Sequence, residues 1–145
     1  APAAPTWWRL SSPAMTLVDD VDTQIGAFGA SLSRLVDTTV NASSGAVTIG
    51  TADAGVYVIT AAYNTTNQAQ EEAIRIVVNG DDYAVAAGCS PTADNSFLDQ
   101  SVSTVVRLAA GDIVTTRYRQ KNAGGATRAL AALERDHFSG VRIGN

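Results

Sequence analysis

Apolar and polar positions alternate with a period of two residues along much of the chain from residue 46 onward, a pattern typical of β-strands. The clearest run is Val56–Tyr63, where β-branched and aromatic residues occupy both predicted faces. One face carries Tyr57, Ile59, Ala61 and Tyr63, and the other carries Val56, Val58, Thr60 and Ala62. A strand that is apolar on both faces needs cover on both sides, so we expect this strand to lie between two packed layers.

Further strand-length runs follow, separated by turn signals. The predicted strands are Val47–Ile49, Glu72–Val78, Tyr83–Ala87, Phe97–Leu108, Ile113–Gln120, Thr127–Leu133 and Val141–Ile143. Asn79-Gly80 predicts a tight hairpin turn with positive φ angles, and Gly111 marks another turn. Thr127–Leu133 is also compatible with a helix by propensity, but the regular turn spacing on either side favours a strand. Short strands with frequent turns predict an all-β, antiparallel two-sheet jelly-roll sandwich.

Residues 17–36 allow two interpretations. Apolar residues recur at spacings of three and four, as on a helix with a heptad seam, at Val18, Val21, Ile25, Phe28, Leu32 and Leu35. Gly26 and Gly29 interrupt this seam, and each costs about 1 kcal/mol inside a helix. The alternative is a pair of strands, around Thr16–Val18 and Leu32–Val36, joined by a glycine-rich loop.

The first 14 residues form a distinct region in this interpretation. Pro2, Pro5 and Pro13 favour an extended backbone, so we predict an N-terminal arm over residues 1–14 and a jelly-roll domain over residues 15–145. Trp7, Trp8 and Arg9 lie in the middle of this arm. Two exposed tryptophans would be costly, so they dock either on the protein's own barrel or a sister subunit, or on a separate partner.

Composition narrows the possible functions. A chain of 145 residues with 46% hydrophobic residues is long enough for one domain with a packed core. The net charge is −4 and the cations are dispersed, which argues against a nucleic-acid partner. The apolar runs are too short for a membrane-spanning helix. Cys89 is the single cysteine, so it forms no internal disulfide and is expected to be a small buried side chain.

The sequence shows little that would support catalysis. His137 is the single histidine, and no nucleophile-elbow motif accompanies it, so we expect a structural strand-end histidine. Asp19, Asp20 and Asp22 cluster, as do Asp81 and Asp82, but neither group follows a calcium-loop pattern, and we interpret them as solvated turn acids. The predictions are therefore no catalytic residue, no metal site, no cofactor and no enzymatic activity.

Four motifs occur in order in the second half of the chain. They are Ala54-Gly55-Val56-Tyr57, Val77-Val78-Asn79-Gly80, Leu108 followed by Gly111-Asp112-Ile113-Val114, and Phe138-Ser139-Gly140-Val141. In this order and spacing, residues 46–143 resemble the globular head of complement component one q and its relatives in the tumour necrosis factor superfamily. Without a collagen-like stalk, and rich in alanine and arginine, the chain looks most like the jelly-roll modules of bacteriophage virions, in head decoration or tail proteins.

The resemblance implies a homotrimer in which sister subunits cover the second apolar face. Under this interpretation Tyr57, Tyr118 and Phe138 lie near the threefold axis; the alternative is that all three are ordinary core aromatics. The leading functional hypothesis is a trimeric decoration or cement protein on the virion surface, outside the cell. It would bind the major capsid protein, or another virion surface, through Trp7, Trp8 and Arg9.

The alternative hypothesis is a receptor- or carbohydrate-binding head module of a phage tail fibre or another surface appendage. The predicted loops Asn64–Gln70 and Ser90–Asn95 would then bind a host glycan or receptor. Neither hypothesis involves nucleic acid or a membrane as partner.

Overall fold

A computed structural model describes residues 5–65, 71–89, 99–122, 124–131 and 133–145 of the chain. The described residues form two main antiparallel sheets and contain no helix, which confirms the all-β, two-sheet jelly-roll prediction. Residues 1–4 of the predicted arm and most of the two predicted recognition loops lie outside the described residues. The side chain of Cys89 does too, so its predicted burial stays a prediction.

Sheet 1 has five strands in the order β10-β7-β13-β1-β4. These strands are β1 (Trp7–Pro13), β4 (Phe28–Arg34), β7 (Gly55–Asn64), β10 (Asp99–Leu108) and β13 (His137–Gly144). The long strand β7, predicted from its apolar pattern, pairs with β10 on one side and β13 on the other. Its two neighbours come from distant parts of the chain, as expected for a jelly roll.

Sheet 2 follows the order β5-β6-β11-β8-β9. Its strands are β5 (Thr39–Asn41), β6 (Ala46–Thr48), β8 (Glu71–Val78), β9 (Asp81–Cys89) and β11 (Ile113–Lys121). The short strand β3 (Thr23–Gln24) also pairs with β11, and β2 (Thr16–Leu17) pairs with β12 (Arg128–Ala129) in a separate ribbon. Asn79 and Gly80 have φ angles of 53° and 87°, which confirms the predicted hairpin turn between β8 and β9.

The core lies between the two sheets and is organised around aromatic side chains. Trp8 packs on Tyr57 with ring centroids 5.4 Å apart and on Phe138 at 5.8 Å. Tyr63 meets Tyr118 edge-on at 6.1 Å, which links sheet 1 to sheet 2. Aliphatic residues fill the space between the rings: Leu10, Ile59, Ile74, Ile76, Val106 and Val114. Because the chain has a single cysteine, no internal disulfide contributes to this core, and side-chain packing holds it together.

The predicted N-terminal arm differs most from the structure. Residues 7–13 form β1, which lies inside sheet 1 with β13 on one side and β4 on the other. Trp8 pairs directly with Gly140 and Ser33. The boundary at residue 14 is therefore not a domain boundary in the described part of the chain. Of the prolines that suggested an arm, Pro5 precedes the strand and Pro13 is its last residue, so neither lies in the strand interior.

Residues 17–36 adopt the strand alternative. The described residues there form the end of β2, then β3 and the whole of β4, joined by irregular segments. The heptad-like spacing does not produce a helix. Gly26 instead lies against the backbone of residues 43–44, where a Cβ would be 2.4 Å from the Ser43 carbonyl oxygen. Of the described residues in the strand predicted at Thr127–Leu133, Arg128–Ala129 pair with β2, and Leu130 forms an isolated bridge with Thr65.

Candidate interaction surface

Sheet 1 presents its outer face to solvent, and an apolar row crosses that face. Val105 on β10, Val58 on β7, Val141 on β13 and Trp7 on β1 lie directly opposite one another in the strand register. Val105 is 60% exposed and Val141 is 42% exposed, while Val58 and Trp7 are half-buried. At about 4.8 Å between strands the row is roughly 14 Å long. We call these four residues the apolar row.

Small and polar side chains flank the apolar row. The next register line contains Ser103, Thr60, Ser139, Arg9 and Leu32, and the one beyond it contains Ser101, Ala62, His137, Ser11 and Ala30. Thr60 and Ser103 hydrogen-bond to each other at 3.1 Å. An apolar stripe on a small-residue face permits close approach by another flat surface.

The three aromatic residues predicted at the threefold axis lie inside the single chain. Tyr57, Tyr118 and Phe138 are each 0% exposed and belong to the core between the sheets. None of them offers surface to a second copy, so the structure supports the alternative of ordinary core aromatics. The large rings fill the space between two sheets about 10 Å apart, whereas the smaller valines point outward.

The predicted partner-binding residues are divided between the two faces of β1. Trp8 is 1% exposed and lies in the core, so it is not available to a separate partner. Trp7 and Arg9 point to the outer face, where Trp7 ends the apolar row. The Arg9 guanidinium donates to the backbone carbonyl of Glu134 at 3.0 Å. This division is the ordinary alternation of a strand.

His137 lies at the start of β13 on the outer face, and its Nδ1 is 2.7 Å from the carbonyl oxygen of Arg135. The preceding residue, Asp136, is 1% exposed and receives a hydrogen bond from the Asn64 amide at 3.2 Å. The acid and the histidine are therefore held by different partners. Within the described residues, no group of three or more His, Cys, Asp or Glu side chains is arranged to hold a metal ion.

The acidic cluster at residues 19–22 is held by cations on the outer face of sheet 2. Asp22 accepts from Arg75 at 2.6 Å, and Asp20 accepts from Arg119 at 2.5 Å. Arg75 also contacts Asp82 at 3.1 Å. Asp19 instead caps the turn after β11, where its carboxylate accepts from the Asn122 backbone amide at 2.8 Å. These acids tie the loop after β2 to sheet 2 through ion pairs and a backbone hydrogen bond.

Asp53 is a buried carboxylate that the sequence did not single out. One of its oxygens accepts from the backbone amides of Val36, Asp37 and Thr38 at 2.9–3.0 Å, and the other accepts from the Thr6 hydroxyl at 3.2 Å. Burial alone would raise the pKa of Asp53, but the donating amides outweigh it and hold the pKa below its usual value. Asp53 thereby joins the start of sheet 1 to the loop that follows β4.

Two core tyrosines have raised pKa values. Burial, assisted by the nearby Asp53 carboxylate, raises the pKa of Tyr57 to about 12, and its hydroxyl donates to the Asp53 carbonyl at 2.5 Å. Burial also raises the pKa of Tyr63, whose hydroxyl is 2.6 Å from that of Thr116. Both phenols stay neutral at physiological pH and serve as structural hydrogen-bonding groups.

A small open cleft lies at one end of sheet 1, between the end of β7 and the starts of β10 and β13. Its lining comprises Ala62, Tyr63, Asn64, Gln100, Ser101, Arg135 and Asp136. Asn64 and Gln100 stand next to the two predicted recognition loops, most of whose residues lie outside the described part of the chain. The cleft offers amide, hydroxyl and guanidinium groups to a polar ligand.

The sequence predicted an apolar outer face, but it did not identify all the residues that form the apolar row. The doubly apolar strand β7 predicted an outer face in need of cover, and Val58 lies on the face opposite Tyr57. The signals for Val105 and Val141 were weaker, because each stands among serine and arginine neighbours.

Across the described residues, no helix has the length and apolar character needed to span a membrane.

Comparison with known proteins supports the fold. No family model matches the sequence, and no curated protein matches it in a sequence search. The structure is similar to murine APRIL at pH 8.5, with a TM-score of 0.65 and 15% identity over 97% of this chain and 100% of that chain. It is similar to murine APRIL at pH 5.0, with a TM-score of 0.67, 14% identity and the same coverage.

A further solved structure with the same likeness is Eiger TNF from S. frugiperda, with a TM-score of 0.67 and 13% identity over 100% of this chain and 95% of that chain. At these identities the likeness concerns the fold alone. The chain therefore has the fold of a TNF-like jelly roll, a conclusion that extends the resemblance seen in its sequence motifs to nearly the whole chain.

Proposed function

We propose that the protein is a structural, non-enzymatic component of a bacteriophage virion, a homotrimer that decorates the capsid surface and stabilises it. The single observation that carries the trimer is the apolar row on the outer face of sheet 1. Four side chains from four strands form it, two of them 40% or more exposed. A second and third copy packed on this face would remove the row from water, and cyclic symmetry is a common way to do so.

The virion role rests on the motif resemblance and on the use of most described strands in a single sandwich. The described strands are almost all used to build one sandwich, which suits a compact knob on a surface. The anchor proposed from sequence changes in detail. Trp8 belongs to the core, so contact with the capsid falls to groups on the outer face of sheet 1, such as the half-buried Arg9 and its exposed neighbours on β4.

The test is the mass of the protein in solution together with imaging of the native particle. Sedimentation at micromolar concentration should give three times the 15.0 kDa of one chain. Electron microscopy of virions labelled with an antibody against the protein should show regular knobs on the shell. A single-chain mass would overturn the trimer, and labelling confined to a tail tip would overturn the decoration role.

A second candidate function is carbohydrate or receptor recognition, which the cleft lined by Asn64, Gln100 and Ser101 favours. Amide and guanidinium groups suit sugar hydroxyls or carboxylates. A glycan array with the intact protein separates the two functions. Binding that is lost in Arg135→Ala but kept in Arg128→Ala would favour recognition, and a silent array would favour decoration.

A further inference from the structure

The strand β4 has a free edge. It forms one margin of sheet 1 and, within the described residues, pairs through its length only with β1. Every residue from Gly29 to Arg34 is exposed. Ser31 and Ser33 are exposed even though they lie on the same side of the sheet as Leu10 and Trp8, their buried partners in β1. Sheet 2 therefore stops short of β4, and the strand is open on both faces.

The two margins of the sandwich differ. At the other margin β9 and β10 lie side by side, and a Cβ placed on Gly88 would be 2.3 Å from the Gln100 amide nitrogen. At the β4 margin the facing strand, β5, has three residues. Apart from its pairing with β1, β4 has a backbone hydrogen bond only at its beginning within the described residues. There the Phe28 amide donates to the Ala42 carbonyl at 3.0 Å. The rest of the edge is accessible.

Apart from the charge of Arg34, the free edge has none of the features that usually block strand addition. Edge strands are commonly protected by proline, inward-pointing charge, a bulge or very short length. The seven residues of β4 include no proline, and their register with β1 is regular. Leu32 is 61% exposed and Val36, two residues beyond the strand, is 76% exposed. These are the two most exposed large apolar side chains in the described part of the chain.

The charge beside this edge is positive and unbalanced. Arg34 is exposed at the end of β4, and Arg9 lies on the same face of the neighbouring strand. Among the described residues, neither arginine has a carboxylate within 4.0 Å, whereas Arg75, Arg117 and Arg119 all do. A carboxylate on a partner molecule could therefore form an ion pair with Arg34 or Arg9.

We propose that the free edge of β4 binds an extended segment of a different polypeptide, which adds a sixth strand to sheet 1. An unpaired strand edge offers alternating N–H and C=O groups that an extended backbone can satisfy. The segment carries apolar residues at alternate positions to cover Leu32 and an acidic residue to meet Arg34. A second copy pairing through its own β4 would bring no carboxylate, because that strand contains none. This inference goes beyond the proposed trimer and does not depend on it.

The test uses the intact protein and a synthetic probe, a fluorescein-labelled peptide Glu-Thr-Val-Thr-Ile-Thr-Glu, whose acidic and apolar side chains share one face of an extended strand. Fluorescence anisotropy is the readout. A second peptide has the same sequence with alternate backbone nitrogens methylated, and a third has Lys in place of Glu. The Glu peptide should bind, and the methylated peptide should not, because it cannot donate along one edge. Amide hydrogen exchange should show new protection within residues 29–34.

The matched variants are Arg34→Glu and Arg107→Glu, each a charge reversal of an exposed arginine on an edge strand of sheet 1. Arg34→Glu should weaken the Glu peptide by roughly fivefold to tenfold and strengthen the Lys peptide. Arg107→Glu should bind like the unaltered protein. Equal binding of the methylated peptide, no binding of the Glu peptide, or equal effects of the two variants would overturn the proposal.

A second copy is the competing occupant of this edge. If it occupies β4, the protein should form assemblies larger than the trimer at high concentration, and Leu32→Lys should abolish them. That result would also overturn the proposal. The circular dichroism spectrum of each variant, compared with the unaltered protein, establishes that the fold is retained. Loss of the trimer alone would contradict the proposed function and leave the peptide result intact.

Discussion

Gly140 lies directly opposite Trp8 where β13 pairs with β1, and the indole ring occupies the space that a side chain at position 140 would need. A Cβ built on Gly140 would be 2.2 Å from the nearest ring carbon. Trp8 is itself enclosed by Tyr57 and Phe138, so the ring has little room to move. The glycine of the Phe138-Ser139-Gly140 motif is therefore explained by a packing contact.

The first prediction concerns this contact. Gly140→Ala should destabilise the protein by about 1–3 kcal/mol, because the core cannot shift to accept the extra methyl group. Urea unfolding followed by tryptophan fluorescence measures the change. Gly144→Ala in the same strand is the matched control, since its Cβ would meet only Val56 at 3.9 Å. Equal stability losses in the two variants would refute the explanation.

The second prediction concerns the buried carboxylate. Because the folded pKa of Asp53 lies below its unfolded value of about 3.9, the folded state binds fewer protons than the unfolded state between the two values. The stabilisation is complete above the unfolded pKa and is lost as the pH falls through the folded pKa. Asp53→Asn should cost about 1.5–3 kcal/mol at pH 7 and flatten the acid part of the stability curve.

Thermal melting between pH 2.5 and pH 7 measures both effects. Asp81→Asn is the control, because Asp81 is exposed at the start of β9, and surface substitutions usually change stability by less than about 0.5 kcal/mol. A parallel loss of stability in the Asp53→Asn variant and the unaltered protein below pH 4 would contradict the role of this carboxylate.

The third prediction concerns the hydroxyl pair in the core. Thr116→Val leaves the Tyr63 hydroxyl buried without its partner at 2.6 Å, and should cost about 1–3 kcal/mol. Adding Tyr63→Phe should recover most of that loss, because no buried donor then remains unsatisfied. Chemical denaturation of the two single variants and the double variant measures the coupling. Additive losses in the double variant would show that the two hydroxyls act independently.

The fourth prediction concerns self-association. Val105→Arg and Val141→Arg place charges in the apolar row and should convert a trimer to single chains at micromolar concentration, since an unpaired buried charge is costly. Val18→Arg is the control, an exposed valine outside sheet 1 at 55% exposure. Light scattering after size-exclusion chromatography gives the mass. An unchanged trimer in the row variants would place the interface elsewhere.

The sequence predicts the two-sheet fold well because alternation and turn signals are local. Val56–Tyr63, the Asn79-Gly80 turn and the run at Ile113–Gln120 all became strands or turns within a residue or two of the predicted positions. The doubly apolar strand also indicated an exposed apolar face. Alternation separates two faces of a strand, however, and does not say which face meets the opposite sheet. For this reason Tyr57 was predicted at a subunit interface and lies in the core.

Other features depend on contacts between distant residues. Asp53 caps amides that are 15–17 residues away, and no local pattern marks such a carboxylate. The N-terminal prolines indicated an extended arm. The adjacent residues Trp7 and Trp8 point to opposite faces of a strand, but this alternation becomes informative only once a partner strand is known. If residues 1–12 were a separate arm, their deletion would leave the sandwich intact. In the structure the deletion would remove most of β1 from the middle of sheet 1.

The position of β1 between β13 and β4 also constrains synthesis of the protein. A ribosome makes the Trp8 strand about 130 residues before its partner strand around Gly140. Until β13 leaves the exit tunnel, one edge of β1 has no strand to pair with, and the Trp8 ring lacks its contact with Phe138. Nascent chains halted before β13 should therefore stay open to proteases and chaperones, and the sandwich should close in a single late step.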